Sequence, residues 1–251
     1  AGMAFPLVLK PARSVGDAGA GRRKLGVRHA ASEAELHEIL RSLPAEAWPV
    51  LAQRRIVGPG VGIFLLTWQG RVVARFAHRR IREKPPSGGV STYRKSIAAD
   101  PELVARSHAL LEHFGWEGVA MVEYKVDASS GTPYLMEVNG RLWGSVQLAV
   151  DAGVDFPALL MAAWAGGPLP AEPPAYREGI RLRWEWGDAD HLLARLRRSD
   201  AANALPPGAP SRLRALAGVL LPWRPGDRLE VFRLGDPRPF LRETARWMRG
   251  R

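Results

Sequence analysis

The stretch Ala120-Met121-Val122-Glu123-Tyr124-Lys125-Val126-Asp127, followed after a short polar break by Pro133-Tyr134-Leu135-Met136-Glu137-Val138-Asn139-Gly140-Arg141, decides how this chain is read. Both halves alternate with period two, the pattern of strands. Asp127-Ala128-Ser129-Ser130-Gly131 is turn chemistry, so the two halves form a hairpin. Glu123, Lys125 and Asp127 share one face of the first strand, and Glu137, Asn139 and Arg141 share one face of the second. A five-residue loop, 128–132, predicts that Val126 pairs with Tyr134 and therefore Glu123 with Glu137. One register thus sets two carboxylates side by side, with an amide oxygen two residues along.

Like charges directly opposite in a sheet destabilise it. A cation between them removes the penalty, and carboxylate and amide oxygens are hard ligands suited to magnesium, which also recruits substrate phosphates. Arg141 on the same face offers a planar fork for a phosphate or carboxylate. A solvated hairpin face with an ordinary Glu–Lys pattern is the competing reading.

Glu137-Val138-Asn139-Gly140-Arg141 at a strand end, with Glu123 on the preceding strand, resembles the metal-binding end of the ATP-grasp superfamily. That superfamily includes biotin carboxylase, carbamoyl phosphate synthetase and the D-alanine ligases. The resemblance covers residues 5–167 and rests on several ordered motifs. It implies an α+β fold with two lobes, mainly antiparallel sheets, that grip ATP between them. It also implies a carboxylate–amine or carboxylate–thiol ligase that activates a carboxylate as an acyl phosphate for attack by a nucleophile, forming ADP and phosphate. ATP and magnesium, with manganese as the alternative ion, are the expected cofactors, and Glu123, Glu137 and Asn139 the expected metal ligands.

Composition is consistent with this. A chain of 251 residues, 46% hydrophobic and 24% charged, can bury a sizeable core. No apolar run reaches the length of a bilayer span. No basic region followed by an apolar stretch opens the sequence, so a cytoplasmic location is expected. The absence of cysteine excludes disulfides and thiolate chemistry within these residues. A net charge of +11 favours anionic partners, but the basic residues are spread along the chain without a nucleic-acid motif, and nucleic-acid binding is the weaker reading.

Toward the N-terminus, residues 5–11 form a short apolar strand bearing Lys10, and a polar loop, 12–24, carries Gly16, Gly19 and Gly21. Glycines let backbone N–H groups approach phosphate oxygens. The resemblance places Lys10 on ATP phosphates and the glycine loop, including Gly19 and Gly21, over them. Residues 25–30 read as a second strand. Ser32 caps a helix with Glu35 at the capping-box position, and Leu36, Ile39, Leu40 and Leu43 are expected in the core. Residues 50–57 read as a strand, and the resemblance implies that its Gln53, Arg54 and Ile56 lie in the adenine-binding segment.

Strands at 63–68 and 71–81 follow as a meander. The charge run His78-Arg79-Arg80-Ile81-Arg82-Glu83-Lys84 then meets a loop with two prolines and two glycines, 85–92. Arg80, Arg82 and the loop 87–91 are candidates for anion or substrate contact, whereas His78 reads as an ordinary surface or core histidine. Asp100-Pro101 opens a helix, Ser145 is expected to cap another, and Asp155-Phe156-Pro157 starts a third.

Past a proline-rich boundary, 166–174, residues 179–186 alternate as a strand. Helices are expected at 188–198, 212–221 and 240–249, the tryptophans are expected to pack, and no chemistry is expected there. The expected division is a small lobe at 1–57, a large lobe with the metal site at 58–170 and a C-terminal extension at 171–251. Superfamily members carry an N-terminal α/β domain before the small lobe, so the resemblance also implies a fragment, a partner that supplies that domain, or reduced activity; a homodimer is the other expected assembly. An ATP-binding module without turnover is the alternative function.

Overall fold

The computed structural model describes residues 3–13, 15–18, 21–205, 208–220 and 226–250. The chain forms two compact units, Ala1–Val57 and Gly58–Arg251.

In the first unit β1 (Leu7–Pro11) lies between β4 (Arg28–Ala30) and β5 (Val50–Arg54), antiparallel to both. Leu7, Leu9 and Ala30 are its buried centre. The segment expected as an open glycine loop instead folds as a hairpin of β2 (Val15–Ala18) and β3 (Gly21–Lys24), running from Val15 opposite Lys24 to Ala18 opposite Gly21. Its polar sequence lacks an apolar alternation, so only the backbone ladder reveals the strands. A Cβ on Gly16 would stand 2.7 Å from the Glu46 Cβ, so this glycine admits a close approach to the 3₁₀ turn Ala45–Ala47.

Helix α1 (Glu33–Ser42) begins as read. Ser32 Oγ accepts from the Glu35 N–H at 3.3 Å, and Glu35 Oε2 accepts from the Ala31 N–H at 2.8 Å, a capping box that reaches one residue further back. Its apolar residues, however, are only half-buried, because a three-stranded sheet offers too little surface to bury a helix face.

The second unit is organised by a seven-stranded sheet. Its strands are β6 (Gly60–Trp68), β7 (Arg71–Lys84), β8 (Val90–Ser96), β9 (Gly118–Val126), β10 (Pro133–Asn139), β11 (Arg181–Arg183) and β12 (Asp227–Leu229), in the order β10-β9-β6-β7-β8-β11-β12. All neighbours are antiparallel except β11 and β12. The fold is α+β, as the sequence implied. Strand β6 is covered on both faces. Phe64 and Leu66 pack with Met121, Trp143 and Phe156 on one side, and Ile63 and Leu65 with Leu103, Val122 and Tyr124 on the other.

The first face is covered by α3 (Val146–Ala152) and α4 (Phe156–Trp164), the second by α2 (Pro101–His113). Asp100 caps α2 by accepting from the N–H groups of Glu102 and Leu103. Ser145 makes no side-chain cap, contrary to expectation: its backbone is already turned toward the helical region and the chain enters α3 from a turn. His78 is buried against Phe64, with ring centroids 4.7 Å apart.

The segment expected as a long strand at 179–186 is a strand only over β11. Trp184 then opens helix α5 (Glu185–Arg197), and the Glu185 carboxylate accepts from the N–H groups of Val231 and Phe232 at 3.3 and 2.7 Å. Helices α6 (Arg212–Leu220) and α7 (Arg238–Met248) complete the unit, and β11 and β12 extend the same sheet as the earlier strands. Residues beyond 171 are thus woven into this unit. Among the described residues no single helix is long and apolar enough to cross a membrane; α3 and α4 meet that test only as a pair bent by 95°.

Candidate metal and nucleotide site

The hairpin of β9 and β10 sets Glu123 opposite Glu137, but by a different route from the one its loop length predicts. At the turn, Pro133 rather than Tyr134 faces Val126. A bulge between Leu135 and Glu137 then takes up one residue, so Glu137 meets Glu123 and Asn139 meets Met121. One register row runs Glu137–Glu123–Gly62–His78 across four strands.

The carboxylates differ in environment. Glu123 is 3% exposed, whereas Glu137 is open to solvent. Burial raises the Glu123 carboxyl above the ordinary range; Arg80 opposes that shift and Glu137 adds to it. The Arg80 guanidinium pairs with Glu123 Oε1, lies 2.9 Å from Glu83 Oε1, and donates to the Gly89 carbonyl at 2.8 Å. Burial disfavours its charge, yet Glu123 and Glu83 more than offset this and raise Arg80 above its usual value. Glu83 also reaches Lys125 at 3.5 Å. Gly60 makes room for this arginine, since a Cβ there would come within 2.8 Å of Arg80 Cδ.

On the open side, Asn139 Nδ2 donates to Glu137 Oε1 at 3.0 Å, and Arg141 Nη2 stands 3.4 Å from Asn139 Oδ1. The glycine between them has a steric reason. A Cβ on Gly140 would meet the Trp116 ring at 2.5 Å. Gly140→Ala is therefore expected to displace Trp116 and lower stability by about 1–3 kcal/mol, measurable as a reduced midpoint in urea unfolding.

The other expected residues fall elsewhere. Arg82 Nε donates to Asp188 Oδ1 at 3.0 Å, its Nη2 pairs with Asp188 Oδ2, and its guanidinium lies 4.4 Å from the Tyr93 ring centroid. Asp188 is 1% exposed and also accepts from Thr92 at 2.8 Å. Arg82 is thus bound into a buried cluster, and the structure joins Arg80, but not Arg82, to the hairpin carboxylate of Glu123. Ser91, from the candidate loop, is buried.

In the first unit Lys10 faces Leu51, and Gln53 and Arg54 face Val8 and Leu7. Ile56 follows β5 and is half-buried. Gly21 opens β3, and Gly19 lies outside the described residues. Reasoning from the sequence missed Glu83 and Asp188. Glu83 had one visible signal, a lone acid in a basic run; Asp188 is joined to Arg82 only by the fold.

The family model described as "ATP-grasp in the biosynthetic pathway with Ter operon" matches residues 46–187. The chain belongs to this ATP-grasp family. No curated protein matches it. Among solved structures, the biotin carboxylase–beta-gamma-ATP complex of Campylobacter jejuni is similar at 20% identity and a TM-score of 0.53, over 71% of this chain and 41% of that one. The biotin carboxylase domain of Hydrogenobacter thermophilus 2-oxoglutarate carboxylase, solved with MgADP, ADP and bicarbonate, gives 19%, 0.52, 71% and 40%. An L-amino acid ligase from Bacillus licheniformis gives 24% and 0.49, over 65% and 40%. The likeness to the two biotin carboxylases is one of fold, and the chain spans about 40% of the length of these proteins.

Within the ATP-grasp frame, the hairpin's donors can be tested against magnesium. No three His, Cys, Asp or Glu side chains cluster for a metal among the described residues. The hairpin instead offers two carboxylates and one amide oxygen, with one oxygen of Glu123 engaged by Arg80. That sparse, hard set fits an ion that keeps waters and is completed by substrate phosphates.

Proposed function

We propose that this ATP-grasp chain carries the nucleotide and metal machinery of a ligase that activates a carboxylate as an acyl phosphate for attack by an amine or similar nucleophile. The observation that carries the reading is the pairing of Glu123 with Glu137, beside Asn139, in a member of this family. Glu137 and Asn139 would hold magnesium from the open side of the hairpin, and Glu123 from the buried side through the oxygen Arg80 leaves. Bound there, the ion would neutralise phosphate charge and orient the transferring group.

Phosphoryl transfer asks mainly for positioning and charge stabilisation. Arg80 fixes the Glu123 carboxylate and, through the Gly89 carbonyl, ties it to the loop after β7. Arg141, beside Asn139, would offer its guanidinium to the phosphoryl group. Lys10 would hold the ATP phosphates, and the backbone of Gln53, Arg54 and Ile56 the adenine. The carboxylate substrate supplies the attacking oxygen on the γ-phosphate, ADP leaves, and the nucleophile then displaces phosphate from the acyl carbon.

The test is ADP release from ATP across a panel of amino acids, other carboxylates and amines, with magnesium and with excess chelator. Release that rises at least tenfold over basal with one carboxylate–nucleophile pair, and vanishes on chelation, is the expected result. ATP binding without stimulated release by any pair would instead leave a nucleotide-binding module.

A further inference from the structure

We propose a second ligand site, formed by the end of β7 with α5 and α7, that takes an anion with a flat aromatic body, such as an aryl carboxylate. These elements line a half-open cleft of about 730 Å³, within the size range of small-molecule sites.

Three tryptophans line it, and each has its polar edge fixed from within the chain. Trp184 Nε1 donates to Glu243 at 2.6 Å, Trp186 Nε1 to Thr244 at 2.9 Å, and Trp247 Nε1 to Asp190 at 2.8 Å. Trp186 and Trp247 stack with centroids 4.2 Å apart and planes 26° apart. Trp186 is also stacked on Phe240, with centroids 6.2 Å and planes 17° apart, so its ring is held within the wall, and a flat ligand packing beside these tied indoles costs little of their freedom.

The charges around the wall select the ligand's sign. Both acids of the lining are engaged: Glu243 accepts from Trp184, and Asp190 accepts from Trp247 while pairing with Lys84, whose ammonium also lies 5.4 Å from the Trp184 ring centroid. Arg197 and Arg246 also line the cleft and are exposed, and their guanidinium groups have no ion-pair or hydrogen-bond partner among the described residues. Two guanidinium forks beside an aromatic wall suit a carboxylate attached to a ring. A cationic ligand would meet three cations, and a neutral arene would leave the forks unused.

The site is separate from the hairpin. Lys84 lies four residues beyond Arg80 on β7, roughly 13 Å along the strand, and none of the cleft's lining belongs to the carboxylate pair. It can therefore succeed or fail independently of the ligase reading.

The experiment titrates the full chain with 1-naphthoate, followed by tryptophan fluorescence and by calorimetry, with and without Mg-ATP. Saturable one-to-one binding is expected, weakened about tenfold for the neutral analogue 1-naphthalenemethanol. The Arg197→Gln/Arg246→Gln pair should weaken naphthoate by tenfold or more at an unchanged melting temperature, because both side chains are exposed. Glu137→Gln should leave naphthoate binding intact. The proposal is overturned by the absence of saturable binding, by equal affinity for acid and alcohol, by an unaltered affinity in the double-arginine variant, or by stoichiometric displacement with Mg-ATP.

Discussion

Glu137→Gln is expected to reduce magnesium-dependent ADP release by at least a hundredfold while leaving the fold intact. Glutamine keeps the volume and one acceptor oxygen but removes the negative charge that would hold the metal. Glu137 is solvent-exposed and its one side-chain bond is to Asn139, so no buried network depends on it. The loss should appear as weaker magnesium dependence and slower turnover together, since an ion that orients phosphates acts on both. Glu123→Gln should behave differently. It sits buried against Arg80, so part of its effect would be structural. A Glu137→Gln protein with unchanged melting temperature and undiminished magnesium-dependent turnover would remove the hairpin from the mechanism.

Arg80→Met carries the largest expected stability loss, about 3–5 kcal/mol. Methionine fills much of the space but leaves the Glu123 carboxylate buried without its partner and Glu83 short of one. The pH dependence follows from the Glu123 shift. Its folded carboxyl is raised by burial even with Arg80 present. A raised carboxyl contributes stability that is complete below its unfolded value and lost as pH climbs through the folded one. Without Arg80 the folded value rises further, so the deficit of Arg80→Met should be largest near neutrality and shrink on acidification. The double variant Arg80→Met/Glu123→Gln should recover more than half of the loss. Urea unfolding of the wild type, Arg80→Met and the double variant at pH 7 and pH 5 checks this. A deficit independent of pH, or no recovery in the double variant, would mean that Arg80 matters through packing alone.

Much of the candidate site's layout was legible because it is local. Glu123 and Glu137 lie on consecutive strands joined by one turn, and side-chain alternation is set by the strand itself. Even so, the turn register was off by one, and the carboxylates face each other only because a bulge near Met136 restores it. Nothing in the alternation of Tyr134, Met136 and Val138 announces that bulge. Arg80 and Arg82 look equivalent in a charge run two residues apart. A long-range partner separates them: Glu123 takes the first and Asp188 the second.

By itself, then, the amino-acid sequence determined the α+β class, the family, the helix caps at Ser32 and Asp100, and the acidic hairpin, all of which rest on residues a few positions apart. Tertiary structure alone decided that Arg80 neutralises the buried carboxylate, that β11 and β12 extend the central sheet, and that Trp184, Trp186 and Trp247 line a half-open cleft beside Lys84. The reason is physical: those outcomes depend on which distant groups share a low-dielectric interior or a common strand edge, and that is fixed only once the chain has closed on itself.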